Sequence, residues 1–287
     1  MTNIPLVESV LHPTDFSDAS LNAFAYALAI ALLRQTELTI LHVGKEKADE
    51  VDWERFPPVR QTLQRWGLLD ADSPRSAVFE QLRIDVRKRA IRSGDPIGAV
   101  AEYAGYQPHD LIVMATAGKG SRERDWLHRS RAESISRKSD AMTLFVPDGA
   151  RNGFVALADG DLDLKKILVP IDPTIDFAAA IEFASRAAEI IGDGDVEITL
   201  LHVGEDMPVL PGVRDEAGCR WQPLLVPGEP LDGIVTTAEK IDPNLIIMTT
   251  NGRDTLGQVI EGSMTERIVR RASCPVLAVP DSDPRTR

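Results

Sequence analysis

Short apolar runs alternate along this chain with stretches whose apolar residues recur at helical spacing. Residues 7–11, 38–43 and 111–115 are such runs. Continuous rather than alternating apolar character is typical of strands buried on both faces, as in a parallel sheet covered by helices. Between the first two runs, residues 17–34 have helical spacing and an N-cap candidate in Ser17 or Asp18. The pattern predicts strand, helix, strand.

The same sequence landmarks then occur a second time in the same order. The matched blocks are residues 13–15 with 170–172, 41–44 with 201–204, 93–96 with 227–230, 111–114 with 245–248, and 145–148 with 278–281. A repeat of well over a hundred residues is too long for a solenoid unit and indicates a duplicated domain. The separation of matched blocks falls from 160 residues at His42 and His202 to 134 at Met114 and Met248, so the second copy is shorter. The first copy carries the extra segment, residues 51–82, which predicts one or two helices.

The remaining elements complete each copy. Third strands are predicted at residues 87–92 and 221–226, each followed by a helix that begins at proline, and last strands at 142–146 and 276–279. The predicted fold class is α/β, with two tandem doubly wound, five-stranded, parallel-sheet domains that are Rossmann-like. We expect domains at residues 1–148 and 165–281. The linker between them, 149–164, has apolar residues on either side of Asp159-Gly160 and predicts a small hairpin.

Charge and composition exclude several classes of partner. The chain has 287 residues with 44 acidic and 32 basic side chains, a net charge of −12. Such a surface repels polyanions, so we expect neither nucleic acid nor anionic membrane as a partner. The exception is residues 119–138, a basic segment that is either a solvated helix face or a site for a small anion. Two cysteines without ligand-like spacing argue against disulfides and structural zinc, and we expect no metal site.

Nothing along the chain indicates membrane insertion or export. No stretch approaches the roughly 18 apolar residues that cross a bilayer, and residues 1–6 lack a basic segment followed by an apolar run. We therefore expect a cytoplasmic location.

Ligands of open parallel sheets bind beyond the carboxyl ends of the strands, where the strand order reverses. Asp15 and Asp172 follow the first strand of each copy. After the fourth strand the second copy reads Thr249, Thr250, Asn251, Gly252, then nine residues, then Gly262 and Ser263 before a helix. Glycines let the backbone approach a phosphate, and a helix start offers free N–H groups. Asp172 would then hold a ribose hydroxyl or an adenine amine. The alternative is that each aspartate only caps the following helix, Asp15 above all.

This combination resembles the universal stress protein (UspA) family over nearly the whole chain, as two tandem domains. The residues that carry the resemblance are Pro13, Thr14, Asp15, Ser17, Leu41, His42 and Val43 in the first copy, and Pro170, Asp172, Leu201, His202, Val203, Gly252, Gly262, Ser263, Glu266, Cys274, Pro275 and Val276 in the second. The resemblance implies an adenine nucleotide alpha hydrolase-like fold that binds ATP or AMP, mainly in the second copy, with Mg²⁺ only where ATP is bound. The site residues it implies are Pro170, Asp172, Val203, Met248, Thr249, Gly252, Gly262 and Ser263, with Asp15, Val43, Gly118, Arg129 and Ser130 in the first copy.

The chain departs from the family's nucleotide-binding pattern, which is Gly, two residues, Gly, nine residues, Gly, then Ser or Thr. Thr249 stands in the first glycine's place, where its side chain restricts φ. In the first copy Ala115 replaces the first glycine, Gly118 fits the second, and Arg129 with Ser130 takes the third position. Arg129 either replaces lost backbone contacts by charge-assisted hydrogen bonds to phosphate or marks a copy that has lost its ligand.

Two functional hypotheses follow from the resemblance. The first is a nucleotide-responsive binding protein of the stress response without dedicated catalysis; the second is an interaction scaffold that no longer binds nucleotide and acts through protein partners, whose identity is unknown. A transferase is a third hypothesis, but His12 alone does not supply its motif, and no Gly-x-Ser-x-Gly elbow or zinc-binding helix indicates a hydrolase. The resemblance also implies an intrachain pseudo-dimer, in which the two last strands pair antiparallel, and a homodimer through other faces.

Overall fold

The computed structural model describes residues 7–56, 59–74, 76–116, 141–210, 219–250 and 263–280. The chain divides into two compact units. Unit 1 consists of Met1–Ala141 with Val155–Asp161, and unit 2 of Met142–Phe154 with Leu162–Arg287.

Unit 1 is a parallel sheet whose strand order is β3-β2-β1-β4. Its elements are β1 (Ser9–Thr14), α1 (Asp18–Arg34), β2 (Glu37–Gly44), a 3-10 turn (Trp53–Arg55), α2 (Val59–Arg65), α3 (Ala77–Glu80), β3 (Asp85–Arg92), α4 (Pro96–Tyr106) and β4 (Leu111–Ala115). The strands β1, β2 and β4 are mostly buried, as their continuous apolar runs predicted. Helix α1 begins after Ser17, whose Oγ accepts a hydrogen bond from the Ser20 N–H at 3.2 Å.

Unit 2 repeats this order and adds one strand. Its elements are β5 (Met142–Val146), β6 (Lys166–Pro170), α5 (Ala178–Ile191), β7 (Val196–Val203), β8 (Cys219–Val226), α6 (Pro230–Ile241), β9 (Leu245–Thr250), α7 (Met264–Val269) and β10 (Val276–Pro280). The strand order is β5-β10-β9-β6-β7-β8. All neighbours are parallel except β5 and β10. The α/β class with largely parallel sheets is thereby confirmed.

Strand β5 clusters with unit 2, whereas the domain expected from the sequence ended after it, at residue 148. The reason is its antiparallel ladder with β10, in which Leu144 lies opposite Leu277. Both strands are buried along their whole length, so their side chains contribute to the core of unit 2.

The segment predicted as a hairpin doubles back on itself. The Ala156 N–H donates to the Asp161 carbonyl at 2.8 Å, and the Gly160 N–H donates to the Ala156 carbonyl at 2.8 Å. Gly160 has φ +80°, and a Cβ at this position would lie 2.5 Å from the Trp66 ring. Trp66 also donates its indole N–H to the Leu157 carbonyl at 3.3 Å. The turn is thus packed against the extra segment of unit 1, and it needs glycine.

No helix within the described ranges is long and apolar enough to cross a membrane.

Candidate functional site

The strand order reverses at one place in each unit. In unit 1 this lies between β1 and β4, and in unit 2 between β6 and β9. Because these strands are parallel, their carboxyl ends meet at one edge of each sheet, where a crevice for ligands forms.

In unit 2, Asp172 lies two residues beyond the end of β6 and is exposed. Its Oδ1 accepts two hydrogen bonds from Thr174, one from the N–H at 2.8 Å and one from the hydroxyl at 2.7 Å. Among the described residues no donor reaches the second oxygen, Oδ2. Asp172 does not cap α5, which begins six residues later. The carboxylate is thus held in place by one oxygen and presents the other to solvent.

The neighbouring strand β7 brings His202 and Val203 to the same edge. The His202 Nδ1–H donates to the Ile171 carbonyl at 3.1 Å, which ties the end of β7 to the turn after β6. Both side chains are part-exposed. Helix α6 lies close to the end of β7. A Cβ added at Gly233 of this helix would be only 2.8 Å from a methyl group of Val203. Val203 is thus a part-exposed apolar residue at the same edge of the sheet as Asp172.

Ser263 lies at the start of α7, as the sequence predicted. Its Oγ accepts from the Glu266 N–H at 3.2 Å, so Ser263 is the N-cap, and its hydroxyl proton remains a donor. Glu266 is buried and forms an ion pair with Arg270 one turn later. The helix that Ser263 caps ends at Val269.

Thr249 was expected in the loop after the fourth strand, but it lies within β9. It pairs with Val279 of the parallel neighbour β10, and the strand continues to Thr250. The ladder with β10 makes this extension favourable. The Thr249 hydroxyl is buried and has no hydrogen-bond partner among the described residues. Met248 is buried within β9, and Pro170 is the last residue of β6.

In unit 1, Asp15 is held much as Asp172 is. Its Oδ1 accepts from the Ser17 N–H at 3.0 Å and from the Ser17 hydroxyl at 2.5 Å. The helix cap, however, is Ser17 and not Asp15. The aspartate therefore fixes the turn that leads into α1.

The edge of unit 1 is filled by aromatic side chains. The Phe16 ring lies parallel to the His42 imidazole, with ring centroids 4.2 Å apart and an interplanar angle of 11°. Trp53 and Phe56 contact the same Phe16 ring at 5.7 and 6.0 Å. Phe56 also packs edge-on against Phe24 of α1 at 4.7 Å. Nothing in the hydrophobic pattern singled out Phe16, but the aromatic residues of the extra segment were a signal that this copy carries additional core.

His42 is fixed from two sides. Its Nδ1–H donates to the Thr14 carbonyl at 2.9 Å, as His202 does to Ile171, and its Nε2 lies 3.3 Å from Glu46 Oε1. Hydrogen bonding by the Glu46 backbone and by His42 lowers the pKa of Glu46. Val43, the other candidate at this strand end, is buried.

A second histidine of unit 1, His12, is entirely buried within β1. Its Nδ1–H donates to the Val113 carbonyl at 2.9 Å, and its Nε2 lies 3.5 Å from Ser20 Oγ. Burial lowers the pKa of His12 to about 4. The pairing of a hydroxyl with an imidazole resembles a nucleophile and its base, but Ser20 is only 3% exposed, so no substrate reaches it.

Part of the predicted site falls outside the described residues. These positions are Gly118, Arg129 and Ser130 of the first copy, Gly252 and Gly262 of the second, and the basic segment 119–138. The described residues bring Asp172, Val203 and Ser263 to elements of one unit, and Asp15 with Val43 to the other. Within the described ranges no cluster of His, Cys, Asp or Glu could hold a metal ion. Cys219 and Cys274 are buried and free, and burial raises the pKa of Cys274 to about 12.

Two doubly wound parallel sheets with a polar edge at each switch point define a class of α/β ligand-binding proteins. The model of the universal stress protein family matches residues 7–147 and 212–280, and the chain belongs to that family. A universal stress protein from Mycobacterium tuberculosis is 24% identical over 288 aligned residues, which cover 88% of this chain and 90% of that protein.

Two further comparisons cover part of the chain and nearly all of it. A universal stress protein from Methanocaldococcus jannaschii is 28% identical over 149 residues, which cover 43% of this chain and 86% of that protein. The crystal structure of a universal stress protein from Archaeoglobus fulgidus superposes with a TM-score of 0.61 at 19% identity and covers 97% of both chains. At that identity the likeness concerns the fold.

Proposed function

We propose that the chain is a nucleotide-responsive binding protein and that unit 2 binds an adenine nucleotide, ATP or AMP, at the carboxyl edge of β6 and β9. The observation that carries the proposal is the open edge of unit 2. There the Asp172 carboxylate is exposed with one oxygen unengaged among the described residues, and Val203, at the end of the neighbouring strand β7, is part-exposed. A polar acceptor at the same edge as an apolar residue suits a ribose joined to a flat base.

Each side chain has a role that follows from its chemistry. Asp172 accepts a hydrogen bond from a ribose hydroxyl or from the adenine amine, and Val203 contacts the base. Ser263 donates its hydroxyl proton to a phosphate oxygen while its Oγ still caps α7. The glycines at 252 and 262, in the sequence between β9 and α7, let the backbone approach the phosphates. Mg²⁺ accompanies the nucleotide only when that nucleotide is ATP.

The nucleotide acts as a signal for protein partners in this proposal and not as a substrate. The pairing of a hydroxyl with an imidazole described above, Ser20 with His12, is sealed inside unit 1. The Thr174 hydroxyl, which donates to Asp172 at 2.7 Å, holds the carboxylate in place in this proposal. Any hydrolysis of the nucleotide is incidental to its role as a signal.

A scaffold without nucleotide is the second candidate, and one observation favours it. Thr249, at the first glycine's position, lies within β9 and pairs with Val279, so a strand residue with a side chain stands where the binding pattern has a glycine. If this departure prevents phosphate binding, unit 2 acts only through its surface and its partners.

Titration calorimetry of the full chain with ATP and with AMP separates the two candidates. Asp172→Asn keeps the acceptor for Thr174 and replaces the open oxygen with a donor, so we expect binding to weaken by about 10- to 100-fold, the value of a hydrogen bond to a charged group. Gly262→Asp places a negative charge in the phosphate loop and abolishes binding. Asp15→Asn is the matched control, since it makes the same change in unit 1 and leaves the affinity unchanged. A wild type that does not titrate overturns the nucleotide proposal and favours the scaffold.

A further inference from the structure

Strand β3 of unit 1 and strand β8 of unit 2 each pair on one side only, among the residues that the structure describes. Strand β3 pairs with β2, and β8 pairs with β7. The unpaired side of such a strand carries a row of N–H and C=O groups that can bond to an added strand. Proteins protect these edges with proline, with charge or with a covering element. The two units protect them in different ways.

In unit 2 a proline interrupts the edge. The Gly204 N–H donates to the Val226 carbonyl, so the even-numbered residues of β8 bond to β7 and the odd-numbered residues have their backbone groups facing outward. Pro223 is one of these outward residues, and it is exposed. Because proline has no N–H, an added strand would lack a main-chain hydrogen bond in the middle of β8. The edge of unit 2 is therefore a poor template for a further strand.

In unit 1 the outward donors of the edge are all present. The Ser93 N–H donates to the Gly44 carbonyl directly after the β2–β3 ladder, so the odd-numbered residues of β3 bond to β2. The outward N–H and C=O groups belong to Val86, Lys88, Ala90 and Arg92. Within the described part of the chain, these groups receive only a long hydrogen bond, 3.4 Å from the Arg89 guanidinium to the Lys88 carbonyl. This edge can therefore pair along its length.

Positive charge surrounds the edge of unit 1. Exposed basic side chains occupy five of the ten positions from 83 to 92, in a chain whose net charge is −12, and they are Arg83, Arg87, Lys88, Arg89 and Arg92. Neighbouring strand residues point to opposite faces. Lys88 lies over the Trp53 ring on one face, with Nζ 5.2 Å from the ring centroid, and Arg89 lies on the other. Such an edge repels a second copy of itself, because like charges directly opposite one another are destabilising, and it attracts an acidic strand.

We propose that β3 is a docking edge for an extended acidic segment of a partner protein, which adds a strand to the sheet of unit 1. Main-chain hydrogen bonds to the outward groups of β3 hold the segment. Its acidic side chains lie opposite Lys88 on one face and Arg89 on the other, at the roughly 5 Å spacing of cross-strand pairs. The edge is separated from the switch point of unit 1 by β2 and β1, so docking does not depend on the nucleotide proposed for unit 2.

The probe is a fluorescent octapeptide of alternating glutamate and valine with blocked ends, titrated with the full chain in the absence of nucleotide and followed by fluorescence anisotropy. We expect it to bind the wild type at low salt, and no binding overturns the proposal. The same peptide with every backbone nitrogen methylated keeps its charge and loses its main-chain donors, so it should bind at least about tenfold more weakly. Equal affinity for the methylated peptide, or for an oligothymidylate of equal charge, overturns the proposal, because charge alone would then explain binding.

Variants at the two edges locate the site. Ala90→Pro removes an outward N–H, as Pro223 does in β8, and breaks no hydrogen bond to β2, and the peptide should bind at least about tenfold more weakly. Arg89→Glu reverses a central charge and should weaken binding by about 3- to 10-fold. Arg220→Glu makes the same change of charge on β8 and is the matched control, which leaves the affinity unchanged. An equal effect of Arg220→Glu and Arg89→Glu overturns the proposal.

Hydrogen exchange of the wild type gives a result that needs no variant. The outward amides of Lys88 and Ala90 should exchange at least about tenfold more slowly when the peptide is bound, because they then donate to it. The amides of Arg87 and Arg89 face β2 and are the internal control. Unchanged exchange at Lys88 and Ala90 with saturating peptide overturns the proposal.

Discussion

The two units carry the same aspartate turn and the same hydrogen bond from a histidine, yet the described residues fill the edge of unit 1 and leave that of unit 2 open. Asp15 and Asp172 each accept two hydrogen bonds from the residue two positions later, Ser17 and Thr174. His42 and His202 each donate to the carbonyl one residue before the aspartate. The units differ in what covers this frame among the described residues: Phe16 with the extra segment in unit 1, whereas Asp172, Pro173 and Thr174 are exposed in unit 2. Duplication has thus kept the frame of the edge while changing its accessibility.

The largest expected effect is the loss of stability in unit 1 when the Phe56 ring is removed. Phe56→Ala removes a completely buried ring that contacts Phe24, Phe16 and His12, and we expect unit 1 to lose about 3–5 kcal/mol of unfolding free energy. Denaturant unfolding measures this. Val209→Ala, at a side chain that is 95% exposed in unit 2, is the control and should cost less than about 0.5 kcal/mol. A similar loss in both variants would show that the extra segment is not part of the core.

The next largest effect is on the pH dependence of the unfolding free energy, which should differ between the two units because of His12. Because burial lowers the pKa of His12 to about 4, the unfolded chain binds a proton between pH 6.5 and 4 that the folded chain does not. The contribution of neutral His12 is complete above pH 6.5 and falls as the pH drops toward 4, by on the order of 3 kcal/mol. The matching position in unit 2 is Val169.

The test is the unfolding free energy from pH 7.5 to 4.5 in wild type and His12→Gln. The difference between the two proteins should shrink as the pH falls, because the glutamine does not titrate. A constant difference across this range would mean that His12 is protonated at no cost in the fold.

A smaller effect of opposite sign is expected in unit 2. Thr143 on β5 is completely buried, and its hydroxyl has no partner among the described residues. Thr143→Val keeps the shape and removes the unpaired group, so unit 2 should gain about 1 kcal/mol. The control is Thr39→Val in unit 1, since the Thr39 hydroxyl donates to Glu37 at 3.2 Å and its loss should bring no gain. Thermal unfolding of both variants checks the signs, and stabilisation by Thr39→Val would remove the distinction.

The smallest effect compares the two aspartate turns themselves. Ser17→Ala removes the N-cap of the 17-residue helix α1 and should cost about 1 kcal/mol. Thr174→Ala removes the corresponding hydroxyl from a turn that precedes α5 without capping it, and should cost less than about 0.5 kcal/mol. Equal costs, measured by denaturant unfolding, would make the two turns equivalent.

Much of the fold was predictable because it depends on patterns that the sequence states directly. Continuous apolar runs predicted the buried parallel strands, and Ser17 and Ser263 were predictable as helix starts because a hydroxyl before an apolar-periodic stretch is a cap signal. The antiparallel pairing of β5 with β10 was expected only from the family resemblance, because such pairing depends on tertiary contacts and not on the hydrophobic pattern. Thr249 was misplaced because pairing with β10 extends the strand beyond its apolar run.

The polar residues of the candidate site could be predicted from the sequence. The aromatic side chains that cover the edge of unit 1 could not. An aspartate after a strand can be found in the sequence, so Asp15 and Asp172 could be proposed together. The difference between them depends on Phe16, whose left-handed backbone and stacking on His42 arise from tertiary contacts with Trp53 and Phe56. Local sequence signals do not report such contacts.

The most direct test of the central claim is a crystal structure of the full chain grown with saturating AMP. The account predicts one nucleotide per chain, with its ribose or base within hydrogen-bond distance of Asp172 and with Phe16 still stacked on His42. A nucleotide on His42 with Phe16 displaced, or no nucleotide at Asp172, would contradict it.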